Sequence, residues 1–491
     1  MPRNKMQRGA TCPFGLMDKL GYLFGDFGND FTFILSTMML MKFYTDVIGI
    51  TPEHVGLVMM VARLVDSVTD VTMGRIVDQM QPGRNGKFRR WLMWMCVPVA
   101  VSSFMVYQAW VAEIASYGVR LTYLFVTYIL WGSVFYTSIN IPYGSMASAI
   151  SPEPGDRQSL STYRSMGATL AGVMIGVVLP LLAYDTVQLT DTQGLQRTVT
   201  VVNGGRVTLA AGIFSLLAIV CYLLCYAMTR ERVVMTASHS RQSSVGSMFR
   251  NALRNRALIS VIVASMMMLL AQLTMQTMAA YIYPDYYNSA SAQSAATILM
   301  LMGMIVAAAV TRPLSDRFGK AEVSAASSLF AAVVCLATWV LRPKNVWVFI
   351  ALQTLDWLGL GVFTMMSWAL ITDVIDYAEI QNGVREDGSV YALYSFARKL
   401  GQAASSGITG WLLGRVGYQS AVEGVPVQQS AETLQGIYDI TTLVPALGFG
   451  LLAAVLWLWY PLRKKQVETN TTFLKAKRKN NHYDEREGNQ Q

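Results

Sequence analysis

Two aspartates four residues apart, Asp66 and Asp70, stand in the stretch LVMMVARLVDSVTDVTMGRIV, which is otherwise largely apolar. On a helix that spacing stacks both carboxylates on one face, where like charges repel and an apolar surround solvates neither. A charged residue at mid-membrane costs about 2.5 to 3.5 kcal/mol on insertion scales, so the pair calls for a bound cation, a proton or a basic partner. Thr69 on the same turn and Thr137 further along the chain add hydroxyl oxygens to a possible Na⁺ site in which Asp66 and Asp70 are the metal ligands. The competing reading is a structural ion pair with Arg63 or Arg75, both of which are expected near helix ends where they can snorkel.

A second polar set interrupts other apolar runs: Asn29 and Asp30 in the first, Asn140 in the fourth, Arg164 in the fifth and Lys399 in the eleventh. Amide and carboxylate groups suit hydroxyl-rich ligands, and the two cations suit an anion. Arg164 has an alternative use as an anchor at a helix end, and Lys399 as the internal partner of Asp26 or Asp66. A third group, Asp373, Asp376 and Glu379, falls on one helical stripe, with Arg385, Glu386 and Asp387 in the turn beyond. Taken alone, the group reads as a solvated helix end.

The elements that must position these residues are membrane helices. The chain has 491 residues, 53% hydrophobic and only 14% charged, against roughly 25% charged in an average soluble protein. Twelve apolar runs are long enough to cross a bilayer: 20–48, 53–77, 91–112, 118–149, 161–184, 208–228, 257–284, 292–311, 321–341, 346–378, 388–414 and 438–461. The first run contains Asp26 and Asp30 and lacks a small-residue cleavage site, so it reads as a retained span. Five scattered cysteines read as buried apolar residues, and three histidines in loops or the tail argue against a histidine-based metal site.

The net charge of +9 is carried by clusters in particular loops. Basic residues follow the second, fourth, sixth and eighth runs, while 46–54 and 285–291 carry none. By the positive-inside rule both termini face the cytoplasm, and a nucleic-acid partner is not indicated. GRIVDQMQPGRNGKFRR after the second run and TRPLSDRFGKAEV after the eighth repeat an Asp, Arg, Gly-Lys pattern half a chain apart. That placement fits a duplicated transporter of six plus six helices. The expected division is a cytoplasmic N-terminus 1–19, one six-helix half 20–228, a cytoplasmic linker 229–256, a second half 257–462 and a basic tail 463–491.

The stretches GDFGNDF, KFYTDVIG, RLVDSVTD, GRNGKFRRWL, NIPYGS, ITDVIDYAE, GVREDGSVY and SFARKLGQA, spread over residues 25–403, resemble the glycoside-pentoside-hexuronide:cation symporters of the major facilitator superfamily. They are most similar to glucuronide and sulfoquinovose-type carriers. The resemblance implies an all-α fold of twelve transmembrane helices in a bacterial inner membrane, and uptake of a sugar derivative with Na⁺ or H⁺. It further implies that Asp66, Thr69, Asp70 and Thr137 match the cation site, with Thr69 replacing the usual Asn. Asp30, Asn140 and Arg164 match sugar-contacting positions, Lys399 matches a lysine of the same cavity, and the 373–385 cluster matches a cytoplasmic gate of ion pairs between halves. Asn140 replaces an acid of the melibiose-type carriers, which makes the cavity more positive and favours a uronide or sulfonated sugar.

The expected partners are a small sugar and the lipid bilayer, with no cofactor beyond the coupling cation and no obligatory protein partner. A neutral pentoside or hexoside is the alternative substrate, and an uncoupled facilitator or lipid carrier the alternative mode. A membrane sensor would need a signalling domain larger than the roughly 30-residue tail. An enzyme is disfavoured by the lack of a Gly-rich phosphate loop, an HExxH motif or a soluble catalytic domain.

Overall fold

The computed structural model describes residues 13–83, 86–190, 196–233, 255–382, 387–421 and 427–474. Arg385, most of the expected linker and most of the basic tail lie outside them.

Each apolar run falls on one long helix. The first six are α1 (Leu16–Asp46), α2 (Pro52–Gln79), α3 (Arg89–Val106), α4 (Tyr117–Ile150), α5 (Pro154–Ala183) and α6 (Gly204–Met228). The second six are α7 (Arg256–Tyr286), α8 (Ala290–Phe318), α9 (Lys320–Leu341), α10 (Val346–Asn382), α11 (Asp387–Arg415) and α12 (Ala431–Trp459). Their starts are set locally. Pro52 and Pro154 open α2 and α5, and Asn203, Asn255, Ser289 and Ser430 accept a backbone N–H at the starts of α6, α7, α8 and α12.

Among the described residues, nine helices meet the length and hydropathy of a membrane span. The three that fall short, α1, α2 and α11, carry Asp26, Asp30, Asp66, Asp70 and Lys399.

Packing repeats with an offset of six helices. The pairs α1·α5, α1·α6, α3·α6, α3·α4 and α2·α4 recur as α7·α11, α7·α12, α9·α12, α9·α10 and α8·α10. The two groups meet along α2·α11, α5·α8 and α1·α7, a two-fold relation of the kind expected from duplication. The α2·α11 crossing is antiparallel and built on glycine. A Cβ at Gly56 would lie 2.9 Å from the Gly410 Cα, and one at Gly407 would lie 2.7 Å from the Met60 sulfur. Small residues let the backbones approach closely, and the register they set brings the Asp66–Asp70 turn opposite Lys399.

Two features depart from an all-α reading. Tyr184–Thr190 and Gln196–Val202 form an antiparallel hairpin, β1–β2, between α5 and α6. It lies against the end of α7, where the Tyr184 hydroxyl donates to the Ala280 carbonyl at 3.1 Å and the Thr200 amide to Asn288 Oδ1 at 2.7 Å. The second is π-helical winding, at Leu130–Tyr136 within α4 and at the ends of α7 (Ile282–Tyr286) and α12 (Val455–Trp459); such deviations are often found at functional sites.

The repeated Gly-Lys turns take the same backbone form. Gly86 and Gly319 have φ of 97° and 103°, the left-handed region that glycine alone enters freely. Beside Gly86, the Glu231 carboxylate accepts from the amides of Lys87, Phe88 and Arg89 at 2.7, 2.8 and 2.7 Å, capping α3 with an anion.

Candidate functional site

The carboxylate pair on α2 is matched by hydroxyls with the same spacing on α4. Ser133 Oγ donates to Asp66 Oδ1 at 2.5 Å, and Thr137 Oγ1 to Asp70 Oδ1 at 2.9 Å. Gly132 lies beside the Asp66 carboxylate, which a Cβ there would meet at an ordinary contact distance of 3.6 Å. The sequence signal for Ser133 is weak: only its spacing from Thr137, which repeats that of Asp66 and Asp70. The Thr69 hydroxyl donates to the Asp66 backbone carbonyl at 3.2 Å, so it is turned along its own helix.

Each carboxylate also has a basic partner. Arg63 Nη1 donates to Asp66 Oδ2 at 3.3 Å, and the Lys399 ammonium of α11 forms an ion pair with Asp70 Oδ2. Lys399 also donates to the Asp66 carbonyl at 3.1 Å. The structure thus corrects two expectations. Arg63 lies well inside α2, buried with its guanidinium 4.8 Å from the centre of the Phe33 ring, and Lys399 takes Asp70 in place of Asp26 or Asp66.

Asp26 instead pairs with Arg164, whose Nε donates to its Oδ1 at 3.0 Å. The guanidinium stands 5.4 Å from the Tyr143 ring centre, yet the Arg164 side chain stays 40% exposed. Asn29 accepts from the Tyr222 hydroxyl at 2.9 Å and donates to Asn140 Oδ1 at 3.5 Å. Asp30, half-buried one residue on, has neither hydrogen bond nor ion pair among the described residues. Trp131, two residues before Ser133 on α4, is buried against Tyr128 and Tyr136, while Trp368 on α10 is exposed and stacks on Tyr391.

The third group behaves differently. Asp373 pairs with Lys320 at 2.6 Å, inside the second group of helices, so this contact does not bridge the groups. Asp376 and Glu379 continue along α10, and Arg385 lies outside the described residues.

A further ionic cluster has almost no signature in the sequence. Lys42 on α1 donates to both oxygens of Asp285 on α7, at 2.7 and 2.5 Å, and to the Tyr418 hydroxyl at 2.8 Å. It also pairs with Asp46 at 2.8 Å, and Tyr418 donates to Asp46 at 2.7 Å. Lys42 is 1% exposed. The only sequence signal was a lysine and an aspartate four apart in KFYTD; the partners lie hundreds of residues away.

Residues 21–464 match the family described as MFS/sugar transport protein, and the chain belongs to that family. Within it, the chain is a member of the glycoside-pentoside-hexuronide symporters. It is 29% identical to a glucuronide carrier protein homolog of Escherichia coli (strain K12), over 91% of this chain and 93% of that protein. It is 28% identical to a putative sulfoquinovose importer of the same strain, over 93% of each. With an isoprimeverose transporter of Lactiplantibacillus pentosus the identity is 30%, over 91% of this chain and 89% of that protein. The fold is that of the nucleoside transporter NupG, whose crystal structure superimposes with a TM-score of 0.62 at 11% identity, over 90% of this chain and all of that one. The chain is therefore a multi-pass membrane protein of a sugar-transporter family.

Proposed function

We propose that this protein takes up an anionic sugar derivative, a uronide or sulfonated sugar, in symport with Na⁺ or H⁺ across a bacterial inner membrane. Twelve helices span the bilayer, both termini face the cytoplasm, and the hairpin end faces outward. The observation that carries the reading is the reach of Lys399 from one helix group onto Asp70 of the other. Alternating access moves these groups against each other, and an ammonium on a carboxylate cannot at the same time serve a substrate anion. A cation arriving at Asp66 and Asp70, with Ser133 and Thr137 as further oxygens, competes with Lys399 and frees it to join Arg164 in binding the anion. Linkage makes the effect reciprocal, so bound anion raises cation affinity.

Three further points support this picture. Glucuronide and sulfoquinovose, in the names of two relatives, are anions. The Arg164 side chain stays 40% exposed despite its pairing. At the hairpin end the Lys42 cluster ties α1 to α7 and to the segment after α11, which closes the outer side.

A neutral glycoside is the second reading, favoured by the unpartnered Asp30 carboxylate and by the name of the isoprimeverose transporter. Uptake into proteoliposomes separates these readings. A glucuronide should accumulate under an imposed Na⁺ or H⁺ gradient, and the matching glucoside should not. Equal accumulation of the glucoside would favour the neutral reading; equilibration without accumulation under either gradient would make the protein a facilitator.

A further inference from the structure

A cavity of about 220 Å³ lies between the two helix groups, bounded by α1 and α5 on one side and by α7, α8 and α10 on the other. Its inner rim adjoins the candidate sugar site. Ile34 is one turn along α1 from Asp30, and Gly172 is two turns along α5 from Arg164. Met38, Met275 and Met300 supply adaptable apolar surface.

Into this lining the chain sets carboxamides and no charge. Gln272 and Gln276 stand four apart on one face of α7, and Gln293 comes from the first turn of α8. Two lining side chains more than nine-tenths buried keep a polar atom without a partner: the Gln293 carbonyl oxygen, an acceptor, and the Trp357 indole N–H, a donor. A buried donor and acceptor left unpaired carry a free-energy cost; both are shielded from the cavity in this state, and the partly exposed Gln272 and Gln276 are the carboxamides a ligand meets first.

We propose that this cavity receives the uncharged aglycone of a glycoside whose charged sugar is held by Arg164 and Lys399. The proposal rests on the anionic-sugar reading above. An engineered apolar cavity of about 150 Å³ admits benzene, so one substituted aryl ring fits here. Its faces meet the methionines and its polar substituents meet the carboxamides. Because both helix groups line the cavity, the aglycone contributes where the transport cycle brings them together.

The test compares binding of 4-nitrophenyl β-D-glucuronide with that of free glucuronate, by calorimetry on the purified full chain. Wild type should bind the aryl glucuronide about tenfold tighter, the size of one added hydrogen bond with partial ring burial. Gly172→Leu should collapse that ratio towards one by filling the cavity; a Cβ there meets only the Ile34 Cδ1, at 3.5 Å, so the substitution starts from open space. Gln276→Leu should lower the ratio by removing an amide, and glucuronate binding by each variant reports that it is folded. A wild-type ratio near one, or a ratio that neither variant changes, overturns the subsite and leaves the cavity to lipid or water. If wild type binds neither ligand, the anionic-sugar reading falls and the subsite falls with it.

Discussion

Two ionic clusters join the helix groups, and they are built to different ends. At the hairpin end, Lys42 is 1% exposed and meets Asp46, Asp285 and Tyr418 at 2.5 to 2.8 Å, while Asp46 and Asp285 keep 19% and 11% of their side-chain surface. In the middle of the bundle, Lys399 and Asp70 keep 24% and 23% of their side-chain surface, and Arg164 keeps 40%. The first cluster encloses its lysine completely and leaves only its carboxylates partly open. The second holds its charges in place but leaves them within reach of a solute. Both contacts join the groups by a lysine on carboxylates, and what separates them is the accessibility of the lysine.

The sharpest break of this comparison is Asp70→Asn. With one carboxylate gone, Lys399 loses its anionic partner and a cation loses a ligand, so gradient-driven accumulation in proteoliposomes should fall to the equilibrium level while substrate exchange persists. Full accumulation by the variant would show that Asp70 is not part of coupling.

Next in size is Lys42→Met. Removing one partner from a buried ionic cluster costs about 3 to 5 kcal/mol, here by leaving Asp46 and Asp285 facing each other. The balance should shift towards a form open at the hairpin end. A cysteine placed at Thr277, which is buried where α7 meets α1 and donates to the Thr37 carbonyl at 3.3 Å, should become reactive towards an impermeant thiol reagent. Unchanged protection would make the cluster a structural tie with no part in gating.

A smaller effect is expected from Arg164→Gln. A charge-assisted hydrogen bond is worth about 1.5 to 3 kcal/mol, which corresponds to roughly 10- to 150-fold in affinity for a glucuronide. The uncharged glucoside should change much less. Parallel losses for both ligands would return Arg164 to a purely structural role with Asp26.

The sequence carried more of the fold than of these clusters. Long apolar runs report helices directly, and the Gly-Lys repeat after the second and eighth runs reappears as two left-handed glycine turns. The hairpin is faint in the sequence because a run of seven residues, QRTVTVV, is a short signal beside 20-residue apolar helices, although its Thr-Val alternation has the period of a strand. Side-chain partners were less legible. Arg63 and Asp66 stand three apart and are readable as neighbours, but Lys399 meets Asp70 only because glycines set the α2·α11 register. Lys42 and Asp285 are brought together by the packing of α1 on α7, which no local pattern encodes. The turn of the Thr69 hydroxyl onto its own helix is a rotamer choice that spacing cannot specify.

The central claim is that a cation and a substrate anion are linked through Lys399. Calorimetric titration of a glucuronide into purified protein, repeated across Na⁺ concentrations and across pH, measures that linkage. Wild type should bind about 5- to 150-fold more tightly as one of the two cations saturates, the usual range of a coupling free energy, and Lys399→Gln should lose most of that dependence. A wild-type affinity that stays constant across both series would contradict the account.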